Sequence, residues 1–441
     1  MEKSCECFKT HLASVVADLT PGVEALHSIR SAFLDEMRRG WEAGKGAGAP
    51  ADKSTLKMLT SHVAAFTAMA PSGVYYAVDL GGSNLRVLRV SLQSGCKPEV
   101  EEVRQPIPES VTRSSAPAES LFDFIASTAK TLTDRHQSDI TESRPILPVG
   151  FTFSFPMSQS SVASGKLIEW TKGFMTSGCV GKDPAALLVD AFKRIAAPLS
   201  VVALCNDTVG TLMTCAYEFE GCPSCRVGVI LGTGTNAAYI DPQYSNIIVN
   251  IEWGAFSHKE MQKTRFDLVV DAESPNPGKQ ALEKMVSGMY LGAIASLAYN
   301  EVMDGLCADC RMDPQTISID SGALSDLLAD RSSLTPTAQE ILGSIGEAVL
   351  DRSADYCAAA LAAVIDKTLN GRPPSGDGSV MVTVGIDGSL YNKGHRYGER
   401  LSRALTRVAG EEFSSKVRFV RSTDGSGVGA AVIAATVVNS S

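Results

Sequence analysis

The chain has 441 residues, of which 44% are hydrophobic and 20% are charged. That length exceeds what one hydrophobic core usually organises, so two or three domains are expected, and the composition excludes a disordered chain. The formal net charge of −9 argues against a nucleic-acid partner or an anionic membrane surface. A phosphate-bearing ligand must therefore be held locally, by backbone amides or a few cations.

The sequence predicts no membrane span and no signal peptide. The mostly apolar runs 286–300 and 427–438 are shorter than the roughly 20 residues that cross a bilayer. The N-terminus has neither an uninterrupted apolar core nor a small-residue cleavage site. We therefore expect a cytoplasmic protein whose eleven cysteines stay reduced.

Two C-x-x-C pairs stand out among the cysteines, Cys222/Cys225 and Cys307/Cys310. They lie too far apart in the chain for a zinc ribbon, whose pairs are usually separated by about 15–20 residues. A metal or redox role for either pair, and simple buried or loop thiols, both remain open.

The first 70 residues predict helices. Thr20 followed by Pro21 is typical of a helix start, with proline in the first turn. Apolar residues then recur at spacings of three and four, which indicates one buried helix face: Leu26, Ile29, Phe33 and Met37.

A strand, a glycine turn and a second strand occur together twice, 152 residues apart. The turns read LGGSN at 80–84 and GTGTN at 232–236, and setting Asn84 on Asn236 aligns them. The predicted strands span 74–79, 85–90, 226–231 and 237–240. The chain is therefore expected to form two related α/β lobes, each presenting a glycine turn between strands.

Glycine turns of this kind let backbone amides approach a ligand and form an anion-binding concavity. A hydroxyl from Ser83 or Thr233 adds a donor. Either turn alone is also explained as an ordinary hairpin, but their repetition favours phosphate binding.

Asp79, which ends the strand before the first turn, either caps turn amides or orients magnesium through water. The chain has no P-loop motif and lacks the protein-kinase motif set.

Asn206 and Asp207 follow a predicted strand and begin a predicted helix. Asp207 is therefore either a helix N-cap or, beside a phosphate turn, a carboxylate that accepts a proton from a substrate hydroxyl during phosphoryl transfer. Two further glycine segments occur later: a strand at 380–388 that precedes Ser389, and DGSGVG at 424–429, which opens an apolar helix.

Two segments place polar side chains among aromatic and apolar residues. The loop FTFSFPMSQSSVASGKLIEWTKGF at 151–174 contains the donors Ser154, Thr171 and Lys172, and loops of this composition bind polyols or simply turn. Glu252, within NIEWGAF, needs a hydrogen-bonding partner in its apolar setting, and a sugar hydroxyl is one option. Glu283, within ALEKMVSG, is equally explained as a solvated helix residue.

In these segments the chain resembles the hexokinase family, the ATP-dependent hexose kinases of the actin-like ATPase superfamily, over roughly residues 55–437. The motifs occur in the family's order. They are VDLGGSNLRV at 78–87 (first phosphate loop), SFP and WTKGF within 151–174 (sugar loop), NDTVGT at 206–211 (catalytic base), GTGTNAAY at 232–239 (second phosphate loop), 251–256 and 276–291 (two sugar-binding glutamates), and 384–391 (adenosine region).

The resemblance implies an α/β, two-lobed actin-like ATPase (ribonuclease H-like) fold with an active-site cleft between a small and a large domain. It implies a small domain of residues 72–205 and a large domain of 206–426, to which the helical segment 1–71 belongs. A C-terminal helix, 427–441, would return to the small domain.

The same resemblance implies a hexokinase that transfers the γ-phosphate of ATP to the 6-hydroxyl of glucose or a related hexose, the first step of glycolysis, with ATP and Mg²⁺. The hexose and ATP would be its partners, without nucleic acid, in a monomer or homodimer.

The implied catalytic residues are Asp207 as general base, Lys172, and Arg86 near the transferred phosphate. The implied sugar ligands are Ser154, Thr171, Lys172, Asn206, Asp207, Asn236, Glu252 and Glu283. The implied nucleotide-binding residues are Asp79, which also serves magnesium through water, Gly81, Gly82, Ser83, Asn84, Gly232, Thr233, Gly234, Ser389, Gly425 and Ser426.

Three other functions remain open on the sequence. One is a kinase of another sugar, such as fructose, mannose or an amino sugar. A second is a catalytically silent sugar sensor of the same fold, and the intact Asp207, Lys172 and Asp79 argue against it. An actin-like or chaperone ATPase would hydrolyse nucleotide without sugar, and the WTKGF and NDTVGT segments argue against it.

Overall fold

The computed structural model describes residues 2–44, 54–64, 71–218, 225–310, 316–320, 322–369, 382–422 and 424–440. The strands are β1 (Leu59–Ala64), β2 (Gly73–Leu80), β3 (Asn84–Leu92), β4 (Glu99–Pro106), β5 (Leu147–Phe153), β6 (Met157–Ser161), β7 (Ser164–Leu167), β8 (Leu199–Cys205), β9 (Cys225–Leu231), β10 (Thr235–Asp241), β11 (Ile247–Asn250), β12 (Val382–Asp387) and β13 (Val417–Arg421).

The helices surround these strands on several sides. They are α1 (Glu2–Asp18), α2 (Val23–Gly44), α3 (Glu109–Thr112), α4 (Ala118–Arg135), α5 (Pro184–Arg194), α6 (Asp207–Glu218), α7 (Arg265–Glu273), α8 (Ala281–Val286), α9 (Gly288–Cys310), α10 (Leu324–Ala329), α11 (Pro336–Leu369), α12 (Ser389–Lys393), α13 (Tyr397–Ala409), α14 (Glu411–Ser414) and α15 (Gly425–Ser440). Short 3₁₀ turns form at Gln137–Asp139 and Trp253–Ala255.

The two main sheets repeat one topology. In the five-stranded sheet, ordered β4-β3-β2-β5-β8, three antiparallel strands are followed by two parallel ones. In the six-stranded sheet, ordered β1-β11-β10-β9-β12-β13, strands β9–β11 and then β12 and β13 follow the same plan, and β1 adds an edge. β2 and β9 begin 152 residues apart. The prediction of two related lobes is therefore confirmed.

We call the five-stranded sheet, the β6–β7 hairpin and α3–α5 the small lobe. We call the six-stranded sheet, α1, α2 and α7–α14 the large lobe. Each lobe has its own apolar cluster. A third cluster, built from α6, α15 and the facing sides of both sheets, lies between the lobes.

Alternation along β2 decides which side of the small-lobe sheet Asp79 faces. Tyr76 and Val78 belong to the small-lobe cluster, whereas Tyr75 and Ala77 belong to the cluster between the lobes. Because successive strand residues point to opposite faces, Asp79 faces the same side as Tyr75 and Ala77. That side is covered by α15, which also packs against β5 and β8.

Helices α6 and α15 join the two lobes through glycine contacts. α6 packs against β9, β10 and β12 of the large lobe, and α15 packs against α6. A side chain at Gly429 would lie 1.9 Å from the backbone oxygen of Gly210, and one at Gly210 would lie 2.7 Å from that of Ser426. The Thr214 hydroxyl also donates to the Gly425 carbonyl oxygen at 2.6 Å. The helices cross this closely because neither glycine carries a side chain.

The N-terminal prediction is confirmed for one stretch and wrong for another. The apolar face of α2 is buried as expected, with Phe33 and Ile29 fully inside the large lobe. Residues 59–64, expected to be helical, instead form strand β1. This segment pairs antiparallel with β11, Thr60 opposite Val249, and partners distant in sequence outweigh its local preferences.

The described residues bear only in part on two further predictions, the role of the C-x-x-C pairs and the absence of a membrane span. Cys222 lies outside them, and Cys307 and Cys310 are described only as part of α9. Within the described ranges, no group of three or more His, Cys, Asp or Glu side chains converges on a metal-sized space. No helix among these residues is both long and apolar enough to traverse a bilayer.

Candidate active site

A cavity between the lobes brings together all eight predicted sugar ligands. Its lining includes Ser154, Thr171, Lys172, Asn206, Asp207, Asn236, Glu252 and Glu283. The parallel pairing of β2, β5 and β8 sets Asp79, Thr152 and Cys205 in register. The residues that follow these strands therefore meet at one edge of the sheet, as is usual for ligand sites in parallel sheets.

Asn206 caps helix α6, which leaves Asp207 available to the cavity. The Asn206 Oδ1 atom accepts from the Thr208 backbone N–H at 3.0 Å and from the Thr208 hydroxyl at 2.6 Å. The side chain of Asp207 is 16% exposed, and its Oδ2 lies 3.8 Å from the Lys172 Nζ. The capping role considered for Asp207 therefore falls mainly on its neighbour, although Asp207 Oδ1 also accepts from the Thr208 N–H, at 2.9 Å.

Lys172 lies between the first glycine turn and Asp207. Its Nζ donates to the Ser154 carbonyl oxygen at 2.8 Å and lies 5.6 Å from the centre of the Phe155 ring. A side chain at Gly82 would lie 3.3 Å from the Lys172 Cδ. Lys172 also has a left-handed backbone, with φ +55°, a conformation that is costly outside glycine and often stored at functional sites.

Asn236 and Asn250 organise the carboxylate of Glu252. The Asn236 side-chain amide donates to Asn250 Oδ1 at 2.8 Å and to Glu252 Oε1 at 3.3 Å. The Asn250 amide donates to the same Glu252 oxygen at 2.8 Å. Glu252 itself has φ +58°. Asn250 was not predicted, although it opens the NIEWGAF segment that carries Glu252.

Both predicted sugar-binding glutamates line the cavity and are partly buried. Burial raises the pKa of Glu252, against the opposing hydrogen bond from Asn250, and burial likewise raises the pKa of Glu283. The Thr235 N–H donates to Glu283 Oε2 at 3.1 Å. A side chain at Gly234 would lie 2.8 Å from that same oxygen, so this glycine leaves room for the carboxylate. Two such carboxylates favour a ligand with several hydroxyl donors.

A larger cavity adjoins the first and contains most of the predicted nucleotide ligands. Its lining includes Asp79, Gly81, Gly82, Ser83, Asn84, Arg86, Gly232, Thr233, Gly234, Ser389 and Ser426. Gly425 is not among the lining residues; its N–H donates to Asp387 Oδ2 at 3.1 Å. Each glycine turn is closed by a backbone hydrogen bond, Gly81 N–H to Asn84 O at 3.1 Å in the first and Gly232 N–H to Gly234 O at 3.0 Å in the second, although the two bonds join different positions of the turn.

Arg86 ties the first phosphate turn to the start of α15. Its guanidinium pairs with Asp79 and donates to Asp424 Oδ1 and to the Ser426 hydroxyl, both at 2.8 Å. The Ser426 hydroxyl in turn donates to Asp79 Oδ2 at 2.7 Å. Arg86 lines the cavity as predicted, and it also fixes the orientation of Asp79.

Sequence reasoning missed several residues of this region, and four of them are polar side chains close to the predicted ligands. Asn250 and Gln280 border or line the first cavity, and Asp387 and Asp424 line the second. Burial raises the pKa of Asp387, which accepts from the Gly388 N–H at 2.6 Å. All four lie inside segments already singled out for their glycines or glutamates, Gln280 within 276–291. Gln280, with φ +55° before α8, carried no local signal.

Comparison with known proteins gives a consistent result. Two hexokinase family models match residues 11–217 and 226–436. The hexokinase of Toxoplasma gondii is 36% identical over 453 aligned residues, covering 94% of this chain and 95% of that protein. Hexokinase-5 of Oryza sativa subsp. japonica is 34% identical and covers 97% and 90%. Hexokinase-1 of Mus musculus is 37% identical, and this chain spans only 44% of its length.

Solved structures of hexokinases are also similar to this chain. A hexokinase crystal structure matches with a TM-score of 0.84 at 34% identity, covering 98% of this chain and all of that one. The hexokinase of Schistosoma mansoni complexed with glucose matches with a TM-score of 0.81 at 30% identity, covering 98% and 99%. The described architecture is therefore the two-lobed fold that the sequence predicted.

Proposed function

The chain belongs to the hexokinase family, and on that premise we propose that it transfers the γ-phosphoryl group of ATP to the 6-hydroxyl of glucose or a related hexose. The observation that carries the proposal is one cavity in which Asp207 and Lys172 face each other beside two partly buried glutamates. The glycine turns of both lobes open onto the adjoining cavity. The Schistosoma mansoni relative, solved with glucose, supports a hexose as the ligand.

Asp207 would act as the general base. As the sugar's 6-oxygen forms its bond to the γ-phosphorus and the bond to the ADP oxygen breaks, the hydroxyl proton passes to the Asp207 carboxylate. Lys172 supplies positive charge next to the transferred group. Phosphoryl transfer leaves little covalent work for the protein, so positioning and charge stabilisation would account for most of the rate.

The sugar would be selected by groups that need its hydroxyls. Ser154, Thr171, Asn206 and Asn236 offer donors and acceptors, and Glu252 and Glu283 accept only. An analogue that lacks one hydroxyl leaves a buried polar group unpaired, which costs about 1–3 kcal/mol. Which hexose is preferred would depend on which of its hydroxyls donates a hydrogen bond to each glutamate.

ATP and Mg²⁺ would occupy the second cavity. The amides of the two glycine turns and the hydroxyls of Ser83 and Thr233 would bind the phosphates. Mg²⁺ keeps much of its water and usually takes only one or two protein carboxylates together with phosphate oxygens. Asp79, 5% exposed and held by Arg86 and Ser426, fits that requirement. Asp79 would hold the ion through water, and the ion would neutralise phosphate charge.

We place residues 72–205 in a small domain, with the C-terminal helix returning to it. The large domain then comprises residues 206–426 together with the N-terminal segment 1–71. The packing of α15 against β2, β5 and β8, and of α2 against α11, supports this division. A cytoplasmic location, and a monomer or homodimer, complete the proposal.

The proposal is tested by following ADP release with glucose, fructose, mannose and an amino sugar, and by identifying the phosphorylated position by phosphorus NMR. Asp207→Ala should lower kcat at least about 100-fold, the usual scale for a general base, while calorimetric glucose affinity changes far less. The exposed Asp190→Ala serves as the control and should retain kcat. No phosphorylation of any hexose, or near-normal kcat in folded Asp207→Ala, would contradict the proposal.

A further inference from the structure

An ion pair crosses from one lobe to the other at the edge of the sugar cavity. Lys57 lies two residues before β1 of the large lobe, and Glu169 lies in the loop that carries Thr171 and Lys172 in the small lobe. The Lys57 Nζ lies 2.6 Å from Glu169 Oε1. Their side chains are 24% and 45% exposed, so the pair is partly accessible to water.

Lys57 is fixed in position by the large lobe. The next residue, Met58, donates its N–H to the carbonyl oxygen of Ile251 at 3.2 Å and has a left-handed backbone, with φ +49°. Ile251 directly precedes Glu252, so the ammonium group is held near the sugar-binding carboxylate. Its charge counteracts part of the burial that raises the pKa of Glu252.

Glu169 is fixed to the sugar loop by the aromatic residue that follows it. The Trp170 ring packs against those of Phe155 and Phe174, with ring centres 4.8 and 5.3 Å away, and its Nε1–H donates to the Thr176 carbonyl oxygen at 2.8 Å. The hydrogen bond from Lys57 lowers the pKa of Glu169, so this carboxylate is charged at neutral pH. A movement of Glu169 would therefore also move Thr171 and Lys172, the sugar ligands that follow it in the loop.

We propose that Lys57 and Glu169 form an inter-lobe latch that holds the sugar loop against the large lobe, and that Lys57 is thereby a positioning residue for hexose binding. This inference rests on the proposed function. A second contact between the same two lobes supports it: the Nε2 of His62, on β1, lies 3.1 Å from the carbonyl oxygen of Gln159, on β6.

The latch should affect sugar binding and leave the chemical step largely unchanged. A bound hexose itself touches both lobes, so at saturating sugar the loop is in place with or without the ion pair. Loss of the pair should therefore raise the KM for glucose while kcat stays within about twofold. Because exposed ion pairs are weak, we expect a KM increase of about threefold rather than a larger one.

The test is a double-mutant cycle on glucose KM at saturating ATP. Lys57→Met keeps the aliphatic stem, and Glu169→Gln keeps the shape. Each should raise glucose KM about threefold, with the KM for ATP unchanged, and the double variant should be no worse than Lys57→Met alone. Lys130→Met is the matched control, because Lys130 pairs with Asp134 at the same 2.6 Å within α4 of the small lobe; its glucose KM should not change.

The latch would be refuted by an unchanged glucose KM in both single variants, by effects that multiply in the double variant, or by an equal rise in Lys130→Met. These results are separable from failure of the proposed function. A wild-type protein that phosphorylates no hexose refutes the function, whereas an active wild type with unchanged KM in the variants refutes the latch alone. Melting temperatures of all variants report whether each is folded.

Discussion

Glu252 illustrates how one residue trades stability for binding. It is partly buried, its backbone is left-handed, and desolvation raises its pKa above the value in an unfolded chain. A raised carboxyl pKa contributes stability that is fully present below the unfolded pKa and is lost as pH rises through the folded pKa. As the pH rises, ionisation of this side chain therefore weakens the folded state unless a ligand donates to it.

We accordingly predict that Glu252→Gln stabilises the sugar-free protein. The amide oxygen still accepts from Asn236 and Asn250, and the buried charge is gone. The melting temperature at pH 8 should rise by about 2 °C relative to wild type, with a smaller difference at pH 5. Glucose KM should rise at least about tenfold, because a charged acceptor of sugar hydroxyls is lost.

Thermal scans at both pH values and glucose titrations check this prediction. The exposed Glu142→Gln is the control and should change neither quantity. A Glu252→Gln protein that melts below wild type at pH 8, or that binds glucose as well as wild type does, would show that the carboxylate serves structure rather than sugar.

At the scale of elements, the crossing of α6 and α15 determines how the lobes are joined. At Gly429 the atom that a new side chain would meet is the backbone oxygen of Gly210, at 1.9 Å. Backbone cannot move aside as the end of a flexible side chain can. The start of α6 also carries Asp207, and the start of α15 carries Ser426, so separating the helices disturbs both cavities.

Gly429→Ala should therefore lower the free energy of unfolding by about 3 kcal/mol, at the upper end of overpacking effects. Urea unfolding measures this quantity. Gly22→Ala is the matched control, because a side chain at Gly22 meets nothing closer than a Glu24 oxygen at 3.7 Å. Equal stability of the two variants would mean that the helices separate without cost.

Elements with local signals were predictable, and those formed by distant partners were not. Both glycine turns and the strands around them followed from alternating apolar residues and glycine spacing. β1 was misjudged because its partner, β11, is almost 190 residues away, as the Ser61–Ile248 hydrogen bond shows. Likewise, Arg86 was expected near phosphate, but nothing local indicates its pairing with Asp424, 338 residues away.

At the scale of the whole molecule, the proposed sugar ligands come from both lobes. Ser154, Thr171 and Lys172 belong to the small lobe, whereas Asn236, Glu252 and Glu283 belong to the large one. A ligand that touches both lobes stabilises the arrangement in which they are close, by the contacts it gains there. Closure would also exclude water, which otherwise competes with the hexose for the γ-phosphoryl group.

The central claim is that a sugar bridging the lobes completes the site in which Asp207 acts, and xylose tests it most directly. Xylose resembles glucose without the 6-hydroxymethyl group, so it should close the lobes and leave room for water near Asp207. We predict slow ATP hydrolysis by the protein alone, a clear increase when xylose is added, and no increase in Asp207→Ala. Hydrolysis that is already fast without sugar and indifferent to xylose would contradict the account.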